Sequence, residues 1–145
     1  MTKTLELQGK KVVQGTGVAR GKALVARETI CFWGEYDPIK GRVNKPDSPI
    51  YGENFRDKIL IIESTKGSSG NIMAFKLSRL EGNAPAGMIV TNVDALGVFG
   101  AIVADVPTVV VTEQDPFDLI ETGDWVEMDA AKGRIVVKKG CAEDV

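Results

Sequence analysis

The residues best suited to chemistry lie in the run Ile62-Glu63-Ser64-Thr65-Lys66-Gly67-Ser68-Ser69-Gly70-Asn71. An apolar stretch ends there, a polar turn containing glycine follows, and the pattern places a helix start at Ser68 or Ser69. Backbone N–H groups at a helix start have no intrahelical acceptor, and the helix dipole adds partial positive charge. A substrate carboxylate or phosphate is favoured at such a place. Lys66 adds a full positive charge. A serine held there has its alkoxide form made less costly, which a serine acting as a base requires. The plainer reading of Ser68 or Ser69 is an ordinary N-cap, worth about 1 kcal/mol to the helix. The turn is not a P-loop, because no GxxxxGK[ST] is present.

Two further segments carry reactive or recognition side chains. Cys31-Phe32-Trp33-Gly34-Glu35-Tyr36-Asp37-Pro38, followed by Gly41-Arg42, brings aromatics close to an arginine. That combination anchors interfaces and recognises carboxylates, or else Phe32 and Trp33 plug the end of a core while Arg42 is solvated. Cys31 reads as a small packed residue, with only Arg42 nearby to lower its pKa. In Asn92-Val93-Asp94-Ala95-Leu96-Gly97-Val98-Phe99-Gly100, Asp94 is placed as an N-cap and the glycines allow a helix to pack closely on a sheet. Asp115 with Asp118, and Glu143 with Asp144, read as solvated surface or tail.

The elements that must position these residues are short. Lys11-Val13 and Ala23-Ala26 flank the turn Gly15-Thr16-Gly17. Lys58-Ile62, Gly87-Val90 and Thr108-Val111 are continuous apolar runs, the pattern of buried strands. Trp125-Asp129 and Arg134-Lys138 alternate apolar and polar around Ala131-Lys132-Gly133, a hairpin. One helix is expected from Ser68 or Ser69 to about Glu81, with Met73, Leu77 and Leu80 on its apolar face and Ile72 and Phe75 beside them. Gly82-Asn83 and Pro85 stop it. A second helix, Ala95 to Ala104, is apolar nearly all round and is expected to be buried. A single turn is expected at Phe117 to Glu121. Cys31 to Tyr51 has little periodicity, and a loop of that length is often functional. The sum is a layered α/β domain built around a barrel-like sheet with few helices.

Composition narrows the function classes. The chain has 145 residues, 43% apolar and 26% charged, with net charge -2. These values fit one globular domain over residues 1–145, with no nucleic-acid footprint. No apolar run approaches the roughly 20 residues of a membrane span. Residues 1–6 alternate charge and lack a signal-peptide core. Zero histidines exclude Ser-His-Asp and Cys-His triads, His-based zinc sites and a phosphohistidine carrier. Cys31 and Cys141 form no CxxC pair and are too few for an iron-sulfur cluster, so no metal site is assigned and a reducing, cytoplasmic setting is expected.

The order of motifs resembles the small, swivel-domain subunit of the aconitase X family. The resemblance rests on Phe32-Trp33-Gly34, Asp37-Pro38, Gly41-Arg42-Val43, Pro49-Ile50-Tyr51-Gly52-Glu53 and Lys66-Gly67-Ser68-Ser69. It continues through Ala84-Pro85-Ala86-Gly87-Met88-Ile89, Gly100-Ala104, Val106-Pro107-Thr108-Val109 and Thr122-Gly123-Asp124-Trp125-Val126, covering residues 9–138 and leaving 139–145 as a tail. It implies a three-layer β/β/α swivelling domain docked on a large subunit that carries an iron-sulfur cluster; this chain alone would bind no cofactor. The implied reaction is dehydration of a hydroxy acid, mevalonate 5-phosphate or cis-3-hydroxy-L-proline. In it a serine removes the proton while cluster iron takes the leaving hydroxyl. Ser68 matches that serine, with Ser69 second. Lys66, Gly67, Gly70 and Arg42 are the substrate-binding candidates, and Phe32, Trp33 and Tyr36 the partner-interface candidates. The chain departs from the family pattern at Lys66, often Arg; at Asn71, often Ser; at Glu35, commonly Gly; and at Ser48, commonly His. A lysine in place of arginine weakens bidentate anion recognition. The competing function is a non-catalytic binding or assembly module with the same fold.

Overall fold

The computed structural model describes residues 3–140. Cys141, Glu143, Asp144 and the rest of the expected tail from 141 onward lie outside the described residues. Ten strands and four helical segments follow one another: β1 (Lys3–Gln8), β2 (Lys10–Val13), β3 (Val18–Ile30), α1 (Phe32–Glu35), β4 (Tyr36–Asp37), β5 (Arg42–Val43), β6 (Lys58–Thr65), α2 (Gly70–Leu80), β7 (Gly87–Val90), α3 (Ala95–Val103), β8 (Thr108–Val110), α4 (Pro116–Leu119), β9 (Trp125–Asp129) and β10 (Arg134–Lys139). Eight strands form one sheet in the order β1-β10-β9-β3-β6-β7-β8-β2, and β4 pairs with β5. The expected hairpin is present as β9–β10, with Met128 opposite Ile135. Lys139, expected in the tail, closes β10 opposite Lys3.

The barrel-like closure has a local cause. Only Gly9 separates β1 from β2, yet β1 pairs with β10 at one end of the sheet and β2 with β8 at the other. The chain turns this corner with Gly9 pressed on β8: a Cβ there would lie 2.4 Å from Val109 Cγ1 and 2.6 Å from the Val110 carbonyl oxygen. Only glycine permits so close a backbone approach.

Strand β6 shows how the layers form. Its side chains alternate between two cores, since successive residues of a strand point to opposite faces. Ile59 and Ile61 join Leu7, Ile89, Val109, Val126, Ile135 and others inside the closed sheet. Leu60 and Ile62 join Phe32, Phe55, Phe75, Met88 and others under α2 and α3. Helices α2 and α3 follow the parallel strands β6 and β7, as crossovers between parallel strands do. The result is a helix layer on a sheet that curls back on itself, the expected β/β/α arrangement.

Two expectations about the helices are corrected. Met73 and Leu80 are exposed, and the buried face of α2 is Asn71, Ala74, Phe75 and Ser78. The i, i+3, i+4, i+7 spacing is kept but rotated, because Phe75 stacks on Phe32 with ring centroids 3.9 Å apart. In α3 only Gly97, Gly100 and Ala101 are buried, whereas Phe99, Ile102 and Val103 are exposed. The small residues let α3 approach its neighbours: a Cβ at Gly100 would strike the Phe75 ring. Its large side chains point away from that contact. No helix among the described residues is long and apolar enough to cross a membrane.

Candidate functional site

Strand β6 delivers the chain to the site at its carboxyl end, where parallel-sheet proteins place ligands. The Thr65 hydroxyl donates to Asp94 Oδ2 at 3.2 Å, and the same oxygen caps α3 by accepting the Gly97 N–H at 3.1 Å. Asp94 is therefore the N-cap expected of it, and it ties the end of β6 to the start of α3. The Lys66 N–H donates to the Ile30 carbonyl at 2.9 Å, and the turn then leaves the sheet.

Within the turn, Lys66, Gly67 and Ser69 are exposed and Ser68 is half-buried. Ser68 Oγ accepts the Gly70 N–H at 3.2 Å, while its carbonyl accepts the Asn71 N–H at 3.0 Å. Ser69 holds the N-cap position in helical conformation, and its side chain makes no capping bond. The two serines are thus not equivalent. Ser68 is oriented by a backbone donor, and such a donor favours the charged form of the group it touches. The N–H groups of Gly67, Ser68 and Ser69 find no acceptor among the described residues. They immediately precede the N-terminus of α2, where the helix dipole adds partial positive charge.

The segment Cys31–Glu35 forms the back of this turn. Glu35 Oε1 accepts the Cys31 N–H at 2.7 Å, and Oε2 lies 3.4 Å from Lys66 Nζ. Glu35 and Lys66, both read from the sequence as departures from the resembled pattern, therefore partner each other. Lys66 remains half-exposed, so the pair is screened by water and contributes little to stability. Gly70 lies flat against Trp33: a Cβ on it would fall 2.4 Å from Trp33 Cδ2.

One residue of this run, Asn71, is given no structural role by its sequence. Asn71 is fully buried, and its Oδ1 accepts the Trp33 N–H at 3.0 Å and the Cys31 thiol at 3.4 Å. Its Nδ2 donates to the Lys66 carbonyl at 2.6 Å. The available signal was a polar residue in register with Ala74, Phe75 and Ser78 on one helical face.

The interface candidates divide. Trp33 is 56% exposed, as an anchor must be. Phe32 and Tyr36 are corrected to core residues, at 0% and 1% exposure. Tyr36 stacks on Phe55 with centroids 3.9 Å apart, donates its hydroxyl proton to the Asn83 carbonyl and accepts the Phe55 N–H. Burial pushes its pKa up to about 12. Arg42 lies on β5 with its guanidinium 5.4 Å from the Tyr51 ring centre. Hydrogen bonds and ion pairs of the described residues connect it to none of Lys66–Gly70. Ser48 donates to Glu28, which also pairs with Lys45 at 2.8 Å.

Three comparisons place these features among known proteins. The family described as "Aconitase X swivel domain" matches residues 6–137. The phosphomevalonate dehydratase small subunit of Thermococcus sibiricus is 36% identical over 138 residues, covering 93% of this chain and 100% of that one. The protein of the same name from Methanococcoides burtonii is 34% identical over 131 residues, covering 90% and 93%. The crystal structure of Thermococcus kodakaraensis aconitase X in its holo-form superposes with a TM-score of 0.83 at 31% identity, covering 92% of this chain and 98% of that one.

Proposed function

The chain belongs to the aconitase X swivel-domain family, and from that premise we propose that it is the small subunit of a heteromeric dehydratase acting on mevalonate 5-phosphate, with Ser68 as its base. The small-subunit relatives support both the reaction class and the need for a large subunit. The observation that carries the base assignment is the Ser68 hydroxyl, oriented by the Gly70 N–H at 3.2 Å beside three unpaired amides and Lys66.

On this reading the chain's own residues do the following. The Gly67–Ser69 amides and the Lys66 ammonium hold an anionic group of the substrate. Ser68 Oγ removes the proton from the carbon between the carboxylate and the hydroxyl-bearing carbon. The electrons of that C–H bond become the new double bond, and the hydroxyl departs from the neighbouring carbon. The Gly70 N–H lowers the cost of the charge the serine must carry. Glu35 keeps the Lys66 ammonium near the turn, and Trp33 presents its exposed indole to the large subunit. The working place proposed is the cytoplasm.

An iron-sulfur cluster does not fit the described residues. No group of three or more His, Cys, Asp or Glu could hold a metal ion among them, and Cys31 is the one free cysteine described. On this reading the cluster sits on the large subunit, and no step of this chain runs through it.

The deciding experiment assembles the chain with its large subunit and offers mevalonate 5-phosphate and cis-3-hydroxy-L-proline separately. Turnover of the first, lost in Ser68→Ala and retained in Ser69→Ala, is expected. Turnover of the proline alone would replace the substrate. Full activity of Ser68→Ala beside an inactive Ser69→Ala would move the base to Ser69, and full activity of both variants would favour the assembly-module reading instead.

A further inference from the structure

Two segments separated by thirty residues meet at the site: the partner-facing Cys31–Glu35 and the base turn Lys66–Ser69. We infer that Asn71 is a positioning residue that joins them into one rigid unit, so that where Trp33 docks decides where Ser68 points. The inference rests on the reading of Ser68 as base.

The geometry of the amide carries it. Asn71 is 0% exposed, and its side-chain hydrogen bonds all end on these two segments: the Trp33 N–H, the Cys31 thiol and the Lys66 carbonyl. None ends on the sheet or on the rest of α2. The job needs an acceptor and a donor in one short, planar group, which an amide supplies and an ionised carboxylate or a methyl does not. Asn71 also stands one residue after Gly70, whose bare Cα is covered by the Trp33 indole. One further tie joins the same segments, Lys66 Nζ to Glu35 at 3.4 Å, and the Lys66 N–H to the Ile30 carbonyl at 2.9 Å fixes the turn to the last residue of β3. The Trp33 peptide and the Ser68 turn are therefore linked through a single buried side chain. A displacement of about 1 Å in a reacting group costs roughly 10²-fold in rate. A rigid link between docking and base suits a site whose two halves lie on different chains.

The test is Asn71→Asp in the enzyme assembled with its large subunit. The carboxylate still accepts the Trp33 N–H but cannot donate to the Lys66 carbonyl. A positioning role predicts that kcat falls at least tenfold while KM and the subunit Kd change less than threefold. Asn71→Ala removes acceptor and donor together and leaves Gly70 and Trp33 unsubstituted, and the same split is expected from it; it decides the matter if Asn71→Asp does not fold. An unchanged kcat in the folded variants beside an inactive Ser68→Ala overturns the inference and leaves the base assignment standing. A loss of kcat that only mirrors loss of assembled enzyme overturns it too. An active Ser68→Ala removes the base assignment on which the inference depends.

Discussion

The two cores of the molecule differ in kind. The one inside the closed sheet is almost wholly aliphatic, built from Leu7, Ile59, Ile61, Ile89, Val109, Val126, Ile135 and Val137 on strands whose partners are sheet neighbours. The one under the helices is aromatic and polar at its margin. Phe32, Tyr36, Phe55 and Phe75 stack in one group, and Asn71 and Asn83 bridge segments that are remote in sequence. The first core needs only apolar side chains of suitable size, so repacking there is tolerated. The second needs particular donors and acceptors at particular places, because each buried polar group left unpaired costs about 1–3 kcal/mol. The candidate turn Lys66–Gly70 stands on the second.

That contrast can be broken at several points. The largest effect is expected from Ser68→Ala, which should lower turnover of the assembled enzyme by about 10²–10⁴-fold with no change in Tm. A matching loss of Tm would make the serine a fold residue rather than a reacting one. Phe32→Ala should destabilise by about 3–5 kcal/mol in urea titration, because its stacking partners Phe75, Tyr36 and Phe55 cannot all close the hole. Ile61→Val, in the aliphatic core, should cost only about 1 kcal/mol; equal costs for the two would erase the distinction.

Trp33→Ala should weaken subunit association by roughly 2 kcal/mol, read by calorimetric titration, with little change in the chain's own stability. Unaltered affinity would make the indole merely a cover for Gly70. The smallest effect concerns alkaline pH. Tyr36 holds its proton up to about 12 in the folded chain, against about 10 when unfolded. Unfolding between those values releases a proton, so stability from this group is complete below about 10 and is lost as pH rises toward 12. Tyr36→Phe should flatten that part of the decline when Tm is followed from pH 9 to 11.

Sequence periodicity read the aliphatic region well. Lys58-Ile62, Gly87-Val90 and the β9–β10 hairpin all fall where apolar runs and alternation put them. Strand β3 was read only at Ala23-Ala26, although it extends over Val18–Ile30. Its ends carry Arg20, Lys22 and Glu28, because it pairs with β9 early and β6 late and changes neighbours midway. Strand β1 escaped notice because, at one end of the strand order, it alternates without a strongly apolar run. At the site, the turn Lys66–Gly70 was legible from glycine, serine and charge at a strand end. Asn71 was not, and neither was the division of Trp33 from Phe32 and Tyr36.

Taken by itself, the order of residues determined most of the strands, the turns, the position of a candidate serine at a helix start and the exclusion of histidine chemistry. These follow from local preferences and short-range alternation, which each segment expresses alone. Tertiary structure decided which face of α2 is buried, which aromatic remains exposed, and that one amide joins two distant loops. Those outcomes depend on what packs opposite each segment: Phe32 beneath Phe75, Gly70 beneath Trp33, and Lys66 within reach of Asn71. A side chain's neighbours across space are set only when the sheet closes at Gly9 and the helix layer settles on it.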